Sequence, residues 1–299
     1  MIKSVFSRAA LCALGLSTSA NAAVPIDFDA AYQSISEEDL ARHIKTLASD
    51  AYEGRAPGTK GEKLTVAYLS REFRGIGLNP GAKDGFEQQI SFAEVKRDPK
   101  FAMSLTKNGS TTEFTPFDEF VAFAGDATGK GEIVGARLVF AGYGIDAPEY
   151  GWDDYRGLNV DGAVVVLMRG EPGKDDDETY FMGRELTDHY HLETKYQLAA
   201  SKGALGAITI HTEESAGWPW SLMQSGGSGA VQFFPGGGKS ETQLRSSAQI
   251  SEPAAKRLFA ETGHDYEALT SAARRAPGAG VDLAAIADIR FNGATRKLK

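Results

Sequence analysis

The stretch Asp161-Gly-Ala-Val-Val-Val-Leu-Met168 decides the fold of this chain, because six apolar residues in a row follow its Asp-Gly turn. An unbroken apolar run of this length predicts a strand that is buried on both faces of a sheet. A second run, Ala207 to Ile210, follows a stretch with helical periodicity at residues 192–202 that ends at Gly203. Together these segments predict a mixed α/β fold.

Two amphipathic helices are predicted upstream, at residues 36–48 and 60–76. Ser36 with Asp39, and Thr59 with Glu62, have the spacing of boxes that cap a first helical turn. Each helix carries one apolar stripe at spacings of three and four residues. The members of these stripes are Leu40, Ile44, Leu47, Val66, Leu69, Phe73 and Ile76. From about residue 86 the apolar period changes to two, which predicts short strands, and one more strand is predicted at Ile286–Phe291.

The first 22 residues have the pattern of an export signal. Lys3 and Arg8 give a basic start, residues 9–16 are mainly apolar, and Ala20-Asn21-Ala22 is a small-x-small cleavage pattern. We expect a mature chain that begins at Ala23 and is periplasmic or secreted. The apolar run is too short for the roughly 30 Å hydrocarbon core of a bilayer, so no membrane span is expected.

Composition excludes several classes of function. The chain has 299 residues, which predicts two domains. Its formal net charge of −8 argues against binding to nucleic acid, because an acidic surface repels the phosphate backbone. Its single cysteine, Cys12, lies in the predicted signal. The exported chain would therefore have no disulfide, no thiol nucleophile and no cysteine-ligated metal.

Two regions carry a family resemblance. Leu47-Ala-Ser-Asp-Ala-Tyr-Glu-Gly-Arg55, with Pro57-Gly58 and Ala67-Tyr68-Leu69, resembles the opening of bacterial co-catalytic zinc aminopeptidases, metallopeptidase family twenty-eight. Phe140-Ala-Gly-Tyr-Gly-Ile-Asp-Ala-Pro-Glu-Tyr-Gly-Trp-Asp-Asp-Tyr155, with residues 161–172, is similar to the protease-associated (PA) domain inserted in many of those enzymes. The resemblance covers about residues 36–295. It implies the helical lead-in of a zinc-peptidase α/β domain and an inserted β-rich PA domain.

The resemblance also implies a division of the chain. After the signal at residues 1–22, the lead-in of the peptidase domain would occupy 23–109 and the PA domain 110–275. Residues 276–299 would form a return strand into the catalytic domain.

The catalytic half of the family is not found in this sequence. Complete relatives hold two zinc ions through His and carboxylate side chains, in a signature that begins with His-x-Asp, and they hydrolyse peptides. This sequence contains no His-x-Asp. A hydrolytic zinc site needs about three protein ligands for each metal ion, so we assign no catalytic, cofactor-binding or metal-ligating residue and expect no catalytic zinc in this chain.

Two functions stay open at this point. The chain is the N-terminal portion of an exported zinc aminopeptidase-like enzyme that is inactive alone, or it is a stand-alone, non-enzymatic PA module that binds peptides or a protein partner. Whether the complete enzyme would be an aminopeptidase or a carboxypeptidase also stays open.

Several residues have both a functional and a structural interpretation. His189 and His191, with Glu193, could share a metal ion, but their position at a predicted helix start favours surface imidazoles. Glu213-Glu214 is interpreted as solvated loop carboxylates, and Ser228 lacks the glycine pattern of a nucleophile elbow. Asp153-Asp154 and Asp175–Asp177 are acidic enough for calcium, but neither has the ligand spacing of a calcium loop. Trp218 and Trp220 could form a recognition surface, although the sequence favours packing, and Arg55 is interpreted as an anchor.

The two amphipathic stripes give one further expectation. In the complete family the central sheet covers them, and most of its strands would follow Lys299. We therefore predict an exposed apolar patch formed by Leu40, Ile44, Leu47, Val66, Leu69 and Phe73, which would favour self-association.

Overall fold

The computed structural model describes residues 28–298, except 82, 84, 99, 175–180, 226–230 and 236–243. The chain forms two compact units, the first ending at Gly81 and the second running from Ala82 to Lys299. Helices and a mixed sheet give the α/β architecture that the sequence predicts. The predicted export signal lies outside the described residues. No helix among the described residues is both long enough and apolar enough to cross a membrane.

The described part of unit 1 contains three α-helices, α1 (Phe28–Gln33), α2 (Glu37–Leu47) and α3 (Lys60–Gly75). The capping residues predicted from the sequence are confirmed. The Ser36 hydroxyl accepts a hydrogen bond from the Asp39 amide at 3.1 Å, and the Thr59 hydroxyl accepts one from the Glu62 amide at 3.3 Å. Each bond satisfies an amide that has no carbonyl partner in a first helical turn.

A tight turn at Asp50–Arg55 joins α2 to α3 and contains the residues that resemble the aminopeptidases. Gly54 and Arg55 both have positive φ, at 72° and 62°. The Arg55 guanidinium donates to the Leu47 carbonyl, so Arg55 anchors this turn to the end of α2, as predicted. At Gly61 a Cβ would lie 1.9 Å from the Tyr52 carbonyl oxygen, so only glycine allows this contact of turn and helix.

Unit 2 is built on a ten-stranded sheet within the described residues, with helices between its later strands. Its strands are β1 (Phe92–Arg97), β2 (Ala102–Lys107), β3 (Ser110–Phe114), β4 (Phe120–Ala124), β5 (Lys130–Phe140), β6 (Asp146–Ala147), β7 (Trp152–Asp153), β8 (Val164–Met168), β9 (Gly206–His211), β10 (Val231–Pro235), β11 (Ser246–Ser251) and β12 (Val281–Leu298). Strands β6 and β7 form a separate two-stranded sheet. The helices are α4 (Leu192–Ser201), α5 (Glu213–Ala216), α6 (Ser221–Ser225), α7 (Glu252–Glu261) and α8 (Tyr266–Arg275).

The large sheet has the order β10-β1-β12-β5-β8-β9-β11-β4, and β2 joins β12 to β3. Strands β5, β8, β9 and β11 are parallel neighbours, whereas the outer pairs are antiparallel. All residues of β8 and β9 are buried, as their apolar sequences predict. The four parallel strands are therefore the centre of the unit.

Apolar side chains cover both faces of this centre. On one face, Phe140 packs edge-on against Phe259 of α7, with ring centres 5.3 Å apart, and Phe259 packs in the same way against Tyr266 of α8. On the other face, Val165 and Leu167 form a smaller cluster with Ala199 of α4. The alternation along β8 sends neighbouring side chains to opposite faces, so both clusters depend on one strand.

The two units divide after residue 81, because β1 and β2 pair with β12 and so belong to the large sheet of unit 2. Strand β12 also pairs with β5, so it lies between β1 and β5 in that sheet.

Candidate functional site

The carboxyl ends of β5, β8, β9 and β11 lie along one edge of the sheet, because these strands are parallel. The segments that leave this edge are residues 141–151, 169–174 and 212–225, together with the start of α7. In open parallel sheets, ligands bind outside the carboxyl ends of the strands. This edge is therefore the candidate site.

The segment after β5 carries the Gly-Tyr-Gly sequence of the PA resemblance and folds over a buried carboxylate. Asp154 Oδ2 accepts a hydrogen bond from the Ile145 amide at 3.1 Å. Gly142 has a φ of 53°, and a Cβ there would lie 2.9 Å from Asp154 Oδ1. At Gly144 a Cβ would lie 2.7 Å from the Leu167 side chain. The two glycines thus let the segment close over Asp154 and Leu167.

Lys195 of α4 lies beneath the same segment, with only 1% of its surface exposed. Its Nζ donates a hydrogen bond to the Tyr143 carbonyl at 2.6 Å and lies 5.6 Å from the centre of the Tyr143 ring. The carboxylates of Asp154 and Glu171 both act electrostatically on it. The burial of this lysine is not evident from the sequence, because one polar residue in a helical pattern is normally placed on the solvent side.

Burial changes the protonation of this pair. It lowers the pKa of Lys195 to about 7, although the charges of Asp154 and Glu171 act in the opposite direction. It also raises the pKa of Asp154 to about 6, against the effect of its hydrogen bonds and of Lys195. Both shifts disfavour the charged form, as expected for ionisable groups removed from water.

A cavity of about 430 Å³ opens at the ends of β8 and β9, next to this pair. Met168 and Ile210 form its apolar floor, and Tyr143 and Tyr266 stand at its sides. Its polar lining consists of Arg169, Glu171, Lys174, Thr212, Glu214, Ser215 and Arg274. The volume falls within the range of small-molecule sites, about 300–1,000 Å³.

The two carboxylates of this cavity already have partners. Glu171 accepts hydrogen bonds from the Thr187 amide at 3.1 Å and from its hydroxyl at 2.5 Å. Glu214 lies 3.5 Å from Arg274, and its carbonyl accepts a hydrogen bond from Lys174 Nζ at 3.0 Å. The Nε of Arg169, in contrast, is buried and has no hydrogen-bond partner within the described part of the chain.

A second cavity, of about 620 Å³, lies beside β11 and contains His211 and Trp220 in its lining. The ring of His211 packs between Trp218 and Trp220, with ring centres at 4.3 and 5.3 Å. Its Nε2 donates to the Trp218 carbonyl at 3.1 Å, and Trp220 Nε1 donates to the Phe117 carbonyl at 2.9 Å. Both tryptophans therefore have the packing role that the sequence favours, and burial lowers the pKa of His211.

The two histidine candidates, His189 and His191, lie in different surroundings. His189 Nε2 lies 2.9 Å from Glu149 Oε1, and the ring of His189 contacts Tyr150 and Phe181. His191 is exposed at the start of α4, where the sequence places it. His189 is half-buried rather than a surface imidazole, because an aromatic cluster from the preceding segments covers it. Glu193 is exposed.

The acidic candidates have separate positions. Glu213 and Glu214 begin the short helix α5, so they are helix residues rather than loop residues, and Glu214 reaches the first cavity. Asp153 accepts a hydrogen bond from the Tyr155 amide at 2.9 Å, whereas its neighbour Asp154 is buried. Asp175–Asp177 and Ser228 lie outside the described residues. Within the described residues, no group of three His, Cys, Asp or Glu side chains is placed to hold a metal ion.

Comparisons with known proteins show a distant structural similarity. No protein-family model and no curated protein matches this chain. Among solved structures, it is similar to an aminopeptidase from Aneurinibacillus sp. strain AM-1, with 17% sequence identity and a TM-score of 0.40. The similarity covers 87% of this chain and 45% of the aminopeptidase, so the chain spans less than half of that protein's length.

Proposed function

We propose that this chain is the N-terminal portion of an exported, zinc-dependent, aminopeptidase-like metallopeptidase. Unit 1 would be the helical lead-in of the peptidase domain, and unit 2 would contain its PA domain. The two zinc ions and the residues that ligate them would lie in a part of the protein outside this chain. The chain by itself would hydrolyse no peptide.

The observation that carries this proposal is the uncovered apolar surface of unit 1. Leu40 and Ile44 on α2 are 54% and 62% exposed, and Leu69 and Phe73 on α3 are each 38% exposed. Leu47 and Val66 are half-buried. None of the six residues in the predicted patch is buried, as the sequence predicts.

An amphipathic helix gains most of its stability by burying its apolar stripe against another element. The large apolar side chain that is buried within the described part of unit 1 is Tyr68, whose hydroxyl lies 2.6 Å from His43 Nδ1. A sheet placed on α2 and α3 would cover the exposed stripes. The resemblance supplies such a sheet, the central sheet that carries the zinc ligands in complete relatives.

Reading the nucleotide sequence beyond codon 299 tests this proposal. A continuous open frame that encodes His-x-Asp, followed by further His, Asp and Glu-Glu ligands, is the expected result. A stop directly after codon 299 with no such frame downstream would refute it.

A second candidate function is a non-enzymatic PA module that binds peptides or a protein partner. Two observations favour it: unit 2 has a complete core on both faces of its central strands, and it has an open cavity at their carboxyl ends. The same nucleotide sequence separates the candidates, since this module requires no downstream ligands.

A further inference from the structure

The cavity at the ends of β8 and β9 is lined by two arginines, Arg169 and Arg274. Of the carboxylates in its lining, Glu171 is buried and already accepts two hydrogen bonds from Thr187. Glu214 lies at the limit of hydrogen-bond distance, 3.5 Å, from Arg274.

Arg169 has an unpaired donor. Its Nε is buried and has no hydrogen-bond partner within the described residues, and its Cζ lies 5.8 Å from the centre of the Trp218 ring. Buried polar groups in proteins nearly always have a partner, so an unpaired nitrogen requires an explanation. A guanidinium restrained by an aromatic ring is suited to a planar anion, which it can bind through two parallel hydrogen bonds.

The rest of the cavity favours an organic anion over an inorganic one. Beneath the charged residues, the floor of Met168 and Ile210 and the Tyr266 wall present apolar atoms. An inorganic anion would leave this apolar surface in contact with water. A residue that carries both a carboxylate and an apolar side chain would pair with the arginines and cover the floor.

We propose that this cavity binds the terminal α-carboxylate of a peptide whose last residue is apolar. Arg169 and Arg274 bind the carboxylate, and Met168, Ile210 and Tyr266 contact the side chain. The inference rests on the proposed function only in taking a peptide as the ligand. A downstream frame without zinc ligands would refute the metallopeptidase and leave this binding measurement unaffected.

Titration calorimetry of the purified chain with N-acetyl-Ala-Leu and N-acetyl-Ala-Leu-amide tests the proposal. The two probes differ only in the carboxylate, and acetylation removes the ammonium group from both. We expect the acid to bind at least tenfold more tightly than the amide. In Arg169→Gln and in Arg274→Gln, the affinity for the acid should fall at least tenfold, towards that for the amide.

Arg290→Gln is the matched control, because Arg290 is an exposed arginine on β12 whose partner is Glu132. It should bind the acid as the unmodified chain does. Arg274 is on the surface of α8, so its variant keeps the test valid if Arg169→Gln does not fold. Equal binding of acid and amide, or no binding of either, would overturn the proposal. Displacement of the acid by inorganic phosphate at equal concentration would also overturn it, because it would indicate a general anion site.

Discussion

Replacing Lys195 with methionine removes the cation from the centre of unit 2 and keeps most of the apolar stem. The change deletes the 2.6 Å hydrogen bond to the Tyr143 carbonyl and leaves the buried Asp154 without its cationic neighbour. Removal of one partner from a buried ion pair typically costs about 3–5 kcal/mol. We expect a loss of this size in the free energy of unfolding, which is a large fraction of the total for a domain.

Urea unfolding at pH 6.5, followed by tryptophan fluorescence, measures this loss. The three tryptophans of the chain, Trp152, Trp218 and Trp220, all lie in unit 2, so the signal reports that unit. This pH lies between the pKa values of about 7 for Lys195 and about 6 for Asp154, so the charged forms of both groups are populated.

The double variant Lys195→Met/Asp154→Asn separates the ion pair from simple packing. It removes both charges, while the Asn side-chain oxygen can still accept from the Ile145 amide. We expect it to recover at least about 1 kcal/mol relative to the sum of the single variants. Lys256→Met, which removes an exposed lysine paired with Glu252, should cost far less. A loss below about 1 kcal/mol for Lys195→Met, or strict additivity in the double variant, would refute the reasoning.

Three further predictions concern the pH dependence of stability, the apolar patch of unit 1 and the zinc content of the chain. Because burial lowers the pKa of Lys195, the unfolded chain binds this proton more strongly than the folded chain above pH 7. The free energy of unfolding of the unmodified chain, measured relative to Lys195→Met, should therefore rise from pH 7 to 9. The rise should be at most roughly 1.4 kcal/mol per pH unit. Urea titrations at pH 7, 8 and 9 check this, and a flat or falling difference would contradict it. Replacing the four exposed residues of the unit 1 patch with glutamine should reduce dye binding and the self-association measured by gel filtration. These residues are Leu40, Ile44, Leu69 and Phe73. Val134→Gln, at an exposed single site on β5, should change neither. The purified chain should carry well under one zinc ion per molecule and cleave no aminoacyl-nitroanilide. Stoichiometric zinc in the unmodified chain that is lost in a His189/His191 double variant would contradict this expectation.

Sequence patterns predicted the parts of the fold that depend on local chemistry. The apolar run at residues 163–168 and the capping residues Ser36 and Thr59 are found where they are predicted, because burial on both faces and helix capping each need particular residue types nearby. The boundary between the units, after residue 81, depends on pairing between strands that are far apart in sequence. Pairing of β1 with β12 joins residues about 200 positions apart, for example Glu94 and Arg296, and no local pattern encodes such pairing.

The candidate site was less predictable for the same reason. Asp154 was considered for calcium, but its partner Lys195 lies 41 positions further along the chain and meets it only after α4 packs on the sheet. Arg169 follows a buried strand directly, and this was the available signal, since residues after parallel strands gather at one edge. The cavity also needs Arg274 from α8, whose position depends on the packing of α7 and α8.

The zinc content of the protein produced from the complete reading frame that contains these codons tests the central claim most directly. The frame should be expressed through its first stop codon, and the purified product should be dialysed and analysed by mass spectrometry for metals. We predict a chain longer than 299 residues that holds two zinc ions per molecule and cleaves an aminoacyl-nitroanilide. A product that ends at Lys299, or a longer product that retains no zinc, would contradict the claim.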